Sequence, residues 1–82
     1  MPQTVTHAYL MGIREGREFW QLLEREGRAN LESARECLGN VRECLAMGFA
    51  GEIRDMMKGE QAFWEQRIKL LIEQRAREGV AA

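Results

Sequence analysis

The sequence predicts an all-α protein that forms one small domain of three helices. Its 82 residues are 45% hydrophobic and 30% charged, which is the balance of a globular chain rather than a disordered one. The single proline stands at position 2, so no proline interrupts the rest. Apolar residues recur every three or four positions, and this pattern is interrupted near residues 27–30 and 47–51, where glycines occur.

We therefore expect one domain over residues 1–82. Its helices are predicted at about residues 6–26, 31–47 and 51–77, and residues 78–82 are predicted to be a frayed tail. The expected arrangement is a three-helix antiparallel bundle, or a helical hairpin plus a long third helix.

The first predicted helix carries two glycines on its apolar face. Thr4 or Thr6 is suited to cap its start, and Gly27 is suited to end it. Gly12 and Gly16 lie four residues apart, and each costs about 1 kcal/mol in a helix interior relative to alanine. This spacing predicts that another helix packs closely against Gly12 and Gly16.

The second predicted helix has one narrow apolar edge. Asn30 is a good N-cap, and Gly48 marks the end. The segment Arg35–Leu38 recurs seven residues later as Arg42–Leu45. This heptad spacing aligns the following apolar residues along one edge: Leu31, Ala34, Leu38, Val41 and Leu45.

The third predicted helix is apolar over nearly half of its circumference, which is wider than one neighbouring helix requires. The residues concerned are Ile53, Met56, Met57, Phe63, Trp64, Ile68, Leu70 and Leu71. The third helix is therefore expected to contact two helices, or one helix and a second protomer. A core from so short a chain supplies only about 3–5 kcal/mol. We therefore expect a homodimer in which the third helix packs across a two-fold axis, with the heptad edge of the second helix as an optional further contact. The alternative is a compact monomer in which Phe49 folds back on Trp64.

Two charges, Glu60 and Arg67, interrupt the apolar arc of the third helix. Their long side chains can reach water from the edge of the arc. The alternative is that they face Arg17 or Glu24 of the first helix, or the same residues of a second chain.

Nothing in the sequence predicts catalysis. Cys37 and Cys44 are seven residues apart, about 10 Å along a helix, which is too far for a disulfide and typical of small core residues. His7 is the only histidine, so no zinc set is available. We expect no enzyme activity, no catalytic residue, no metal site and no cofactor.

The charge balance argues against nucleic acid as the main partner. Twelve basic residues face thirteen acidic ones, whereas dedicated nucleic-acid binders are usually strongly basic. The alternative is that nucleic acid binds to a ridge of four arginines on the first helix and just after it: Arg14, Arg17, Arg25 and Arg28. No segment reads as a membrane span or a signal peptide, and the free thiols fit a reducing compartment, so we expect a cytoplasmic protein.

Two segments carry a family resemblance. Tyr9–Arg17 and Gly48–Met56 together make up about a quarter of the chain. They resemble parts of small uncharacterised proteins encoded by phages and prophages of proteobacteria. The resemblance implies an accessory or host-interacting protein and transfers no catalytic residue.

The function predicted from these observations is a small protein–protein interaction module that binds a host or phage protein as an inhibitor or adaptor. Large aromatic and methionine side chains dominate binding energy at protein interfaces. The candidate interface residues are therefore Tyr9, Phe49, Met56 and Trp64, together with Glu60 and Arg67.

Overall fold

The computed structural model describes residues 5–81, without the side chains of residues 80 and 81, and these residues form three α-helices. Helix α1 spans His7–Arg25, α2 spans Leu31–Ala46 and α3 spans Gly51–Ala81. The prediction of an all-α chain of three helices is confirmed.

The helix ends follow from short capping contacts. The backbone N–H of Tyr9 donates to the Thr6 hydroxyl at 3.1 Å, and that of Ser33 donates to the Asn30 side chain at 2.8 Å. Gly27 has a φ of +71°, a left-handed conformation that ends α1 and that glycine adopts without a steric penalty. Of the two caps proposed for α1, Thr6 is the one observed, and Thr4 lies outside the described residues.

Helix α3 is longer than predicted. It continues to Ala81, so the predicted end at Arg77 and the predicted frayed tail over 78–81 are wrong, while residue 82 lies outside the described residues. The error has a simple reason: Gly79 costs about 1 kcal/mol in a helix, which does not end a helix flanked by good helix formers such as Ala76 and Glu78.

Helix α3 is the common partner of the other two helices. Tyr9 lies against Gly59, and Gly16 lies against Phe63, so residue numbers rise together and α1 runs parallel to α3. Helix α2 runs the opposite way, since Arg42 pairs with Glu65 while Leu31 lies beside Gln74. Within the described part of the chain, the backbones of α1 and α2 do not pack directly against each other.

The heptad edge of α2 is used inside the chain. Ala34, Leu38 and Val41 are buried against the core and expose 0%, 8% and 9% of their surface. This edge is therefore not free to pack across a two-fold axis, and that part of the dimer prediction is wrong. The wide apolar arc of α3 explains why, because it has room for both α1 and α2.

The molecule is elongated because of α3. Thirty-one helical residues extend for about 46 Å, which matches the 47 Å long axis. The radius of gyration is 14.3 Å, against about 12 Å for an average domain of this length. The core is correspondingly small and contains six buried apolar residues among those described: Trp20, Leu23, Ala34, Leu38, Val41 and Trp64.

Candidate interaction surfaces

The contact between α1 and α3 depends on three glycines. A Cβ at Gly12 would overlap the carbonyl oxygen of Met56, and a Cβ at Gly59 would overlap that of Tyr9. A Cβ at Gly16 would lie 2.7 Å from the Phe63 ring. The predicted close packing at Gly12 and Gly16 is confirmed. Gly59 was not predicted to take part in this contact. Its position between Met56 and Phe63, on the apolar arc of α3, was a signal that could have indicated it.

An aromatic cluster forms one to two turns beyond this crossing. Trp64 makes edge-to-face contacts with Phe63, Trp20 and Phe19, with ring centroids 5.0, 6.1 and 6.2 Å apart. Trp64 is only 3% exposed. It is therefore a core residue and not the surface anchor that the sequence predicted, because the small core needs its largest side chain inside.

Arg67 lies on this cluster instead of pairing with a carboxylate. Its guanidinium is 5.3 Å from the Trp20 ring centroid and 5.4 Å from that of Phe63. Its Nε is buried without a hydrogen-bond partner. The favoured expectation was a solvated charge at the edge of the apolar arc, and Arg67 is half-buried. The alternative, a salt bridge with Glu24 of α1, is absent from the described residues.

Glu60 faces a residue of like charge. Its carboxyl group is within hydrogen-bonding reach of Glu15 on α1. It is half-buried, and the alternative of a salt bridge with Arg17 is not found among the described residues. Burial, followed by the hydrogen bond and the negative charge of Glu15, raises the pKa of Glu60 from its ordinary 4.5 to about 7. The close approach at Gly12 brings the two carboxyls together, since the backbone N of Glu60 is itself next to Gly12.

These carboxyl groups lie in a cleft between α1 and α2, with α3 as its floor. The cleft has a volume of 320 Å³. We call it the three-helix cleft, and its lining residues are Glu15, Gly16, Phe19, Cys37, Asn40, Val41, Glu60 and Trp64.

A second cleft lies at the end of the molecule where α1 and α3 begin. It measures 340 Å³, and we call it the N-terminal cleft. Met11 and Ile53, which are 40% and 50% exposed, form part of its wall beside the half-buried Met56. His7 lines it together with two acidic side chains, Glu52 and Asp55.

The remaining predicted anchors lie at the same end of the molecule. Phe49 is 40% exposed in the turn that leads into α3, and its neighbour Met47 is 77% exposed. Tyr9 is half-buried and contributes its backbone carbonyl to the contact with Gly59. Tyr9 and Met56 are alike in this respect, since both are half-buried and both give a backbone carbonyl to the helix crossing, whereas Phe49 is exposed.

The arginine ridge is partly neutralised. Arg14 pairs with Glu18 at 3.0 Å, and Arg28 pairs with Glu26 at 3.3 Å. Arg17 and Arg25 lie on α1, as Arg14 does, and both are exposed. Two of the four candidate nucleic-acid contacts therefore already have a carboxylate partner, which weakens the positive potential that a phosphate backbone needs.

The two cysteines are free and half-buried. Burial, and then the charge of Glu36, raises the pKa of the Cys37 thiol. A raised pKa keeps the thiol protonated and therefore a poor nucleophile. Over residues 5–81, no three histidine, cysteine or acidic side chains are grouped as a metal site would need.

No helix in the described range is both long enough and apolar enough to cross a membrane. Comparison with protein-family models, curated proteins and solved structures found no match. The function is therefore inferred from the residues and surfaces of the chain itself.

Proposed function

We propose that this protein is a small helical interaction module without enzymatic activity, which binds another protein through the end formed by the starts of α1 and α3. The observation that carries the proposal is the set of exposed apolar side chains around the N-terminal cleft. Met11 and Ile53 line this cleft and leave 40% and 50% of their surface in solvent, and Phe49, in the turn before α3, leaves 40%. Exposed apolar surface beside a concave site is typical of protein-binding surfaces.

The charge around this cleft suits a protein partner better than a phosphate backbone. Glu52 and Asp55 lie on its rim, and acidic groups repel phosphate. The methionines offer flexible side chains that adapt to a partner. A phage or prophage accessory protein, acting in the bacterial cytoplasm as an inhibitor or adaptor of a host or phage protein, fits these properties and the resemblance noted above.

We also propose that the chain forms a homodimer through α3. Leu70 and Ile72 are 40% and 45% exposed on its C-terminal half, on opposite flanks of the helix. Burying either flank against a second copy stabilises a chain whose own core is small. Sedimentation at micromolar concentration would then give twice the 9.5 kDa mass of the chain, and a monomer at these concentrations would contradict the dimer.

The interaction proposal is tested with matched variants. Met11→Gln and Ile53→Gln remove apolar surface from the N-terminal cleft, and Leu10→Gln removes it from a side chain that is 54% exposed and outside the cleft. Affinity capture from a bacterial lysate would identify a partner, and titration calorimetry with that purified partner would measure the dissociation constant. We expect the cleft variants to weaken binding about tenfold, the effect of losing roughly 1.4 kcal/mol, while Leu10→Gln binds normally.

Equal binding by all three variants would refute the assignment of this surface. A salt-dependent complex with duplex DNA, formed when no protein partner is retained, would instead support the arginine ridge.

A further inference from the structure

The three-helix cleft has two chemically different ends. Helices α1 and α3 run parallel, so Glu15 lies level with Glu60, and Phe19 lies level with Trp64 one turn further along. Val41 of α2 forms part of the opposite wall. The cleft therefore presents a pair of carboxyl groups at one level and an aromatic surface at the next, about 6 Å away along the helices.

Within the described part of the chain, no salt bridge neutralises the carboxyl pair. Among the described residues, no lysine or arginine lines the cleft. Arg14 pairs with Glu18 at 3.0 Å, Arg42 pairs with Glu65 at 3.7 Å, and Arg67 lies on the Trp20 and Phe63 rings. Arg17 and Lys58 are exposed on α1 and α3 and do not line the cleft. Two facing carboxyls need either a shared proton or a cation between them. The pKa of Glu60 is raised first by burial and then by the hydrogen bond and charge of Glu15.

The rim and size of the cleft indicate which cation fits. Phe19 is 47% exposed and offers a ring face beside the carboxyls. A guanidinium group is planar, binds two carboxylate oxygens at once and stacks on aromatic rings, whereas an ammonium is a compact, strongly hydrated charge. The volume of 320 Å³ leaves room for one long side chain together with water.

We propose that the three-helix cleft receives an arginine side chain of the partner protein, with its guanidinium between Glu15 and Glu60 and its stem against Phe19. This inference rests on the proposed function, because the arginine belongs to the partner. The two clefts then differ in what they receive: the three-helix cleft holds a guanidinium between two facing carboxyls beside an aromatic ring, and the N-terminal cleft binds apolar side chains beside Glu52 and Asp55.

The probe for this site is n-butylguanidinium, titrated into the ¹⁵N-labelled full chain at pH 8, where Glu60 is ionised. We expect saturable amide shifts confined to residues near Glu15, Phe19, Asn40 and Glu60. The neutral analogue n-butylurea should give no such shifts. Glu60→Gln should weaken binding about tenfold, and Glu24→Gln, which removes an exposed carboxylate elsewhere on α1, should leave it unchanged.

Three results would overturn the proposal: shifts of the same pattern with n-butylurea, unchanged binding in Glu60→Gln, or no binding by the wild type. Equal affinity for n-butylammonium would overturn the choice of arginine over lysine. A partner that depends on Met11 and Ile53 but ignores Glu60→Gln would leave the proposed function intact while removing this inference. Guanidinium binding by a chain that retains no protein partner would keep the chemistry of the cleft but overturn the assignment of its arginine to a partner protein.

Discussion

Helix α3 holds its two neighbours by different means. Against α1 the backbones touch, because glycines at positions 12 and 59 remove the side chains between them. Against α2 the spacing is set by side chains, with Leu38 and Val41 buried in the core. The α1–α3 contact has no room for an added atom, whereas the α2–α3 contact loses stability mainly when atoms are removed.

The difference also explains why the pair of like charges lies between α1 and α3. The glycine crossing draws the side chains beside it together whatever their charge, and so Glu60 meets Glu15. The α2 contact keeps its charges at the surface, where Arg42 and Glu65 pair at 3.7 Å with about half of each side chain exposed. An exposed pair of this kind contributes at most about 1 kcal/mol.

Removing Trp64 should break both contacts and produce the largest effect. Trp64→Ala deletes the side chain that joins α1 to the rest of the core, and a buried tryptophan contributes about 3–5 kcal/mol. We expect urea unfolding to show a chain that is mostly unfolded without denaturant. Phe49→Ala is the control, since that ring is 40% exposed and should cost less than about 1 kcal/mol. Equal losses in the two variants would show that Trp64 is not central.

Adding one methyl group should distinguish the two contacts directly. Gly12→Ala or Gly59→Ala places a Cβ against backbone carbonyls, and overpacking of this kind costs about 1–3 kcal/mol. Gly39→Ala in α2 meets no atom within 4 Å and should gain up to about 1 kcal/mol from helix propensity. Hydrogen exchange should show lost protection in α1 but not in α2. Opposite signs for Gly12→Ala and Gly39→Ala are the required result, and equal stabilities would contradict the close crossing.

Glu60 should make stability depend on pH near neutrality. Its pKa is raised to about 7 in the folded protein, so its stabilising contribution is present below the ordinary value near 4.5 and is lost as the pH rises through 7. Glu60→Gln should remove this dependence and stabilise the protein at pH 8 by roughly 1 kcal/mol, a value reduced because solvent screens this half-exposed site.

The measurement is the free energy of unfolding of the wild type and Glu60→Gln between pH 4.5 and 8. Glu24→Gln is the matched control, because it removes an exposed carboxylate on a different face of α1. Parallel curves for the wild type and Glu60→Gln would be incompatible with the carboxyl pair.

Replacing Arg67 should have the smallest effect on stability. Arg67→Met loses a cation–π contact worth about 0.5–2 kcal/mol. It also removes a buried Nε without a partner, whose desolvation costs about 1–3 kcal/mol. We expect these effects to offset each other to within about 1 kcal/mol in urea unfolding. A loss of more than 2 kcal/mol would mean that Arg67 has a partner that its stacked position does not explain.

Local features of the chain were predictable from the sequence because short-range chemistry decides them. Thr6 and Asn30 cap their helices through contacts three residues away, and Gly27 ends α1 through its own backbone conformation. The close approach at Gly12 was also predictable, because a glycine destabilises a helix and its presence on an apolar face indicates that another helix packs closely there.

Three helices, their caps and the place where one helix comes close to another can thus be derived from the amino-acid pattern alone. The burial of Trp64, the contact of Glu60 with Glu15 and the position of Arg67 on aromatic rings depend on how the helices pack together. The heptad edge of α2 was visible in the sequence, yet whether it faced α3 or a second copy was not. The physical reason is that helical periodicity shows which face of a helix is apolar, whereas the partner of that face depends on how residues distant in sequence compete for the same small core.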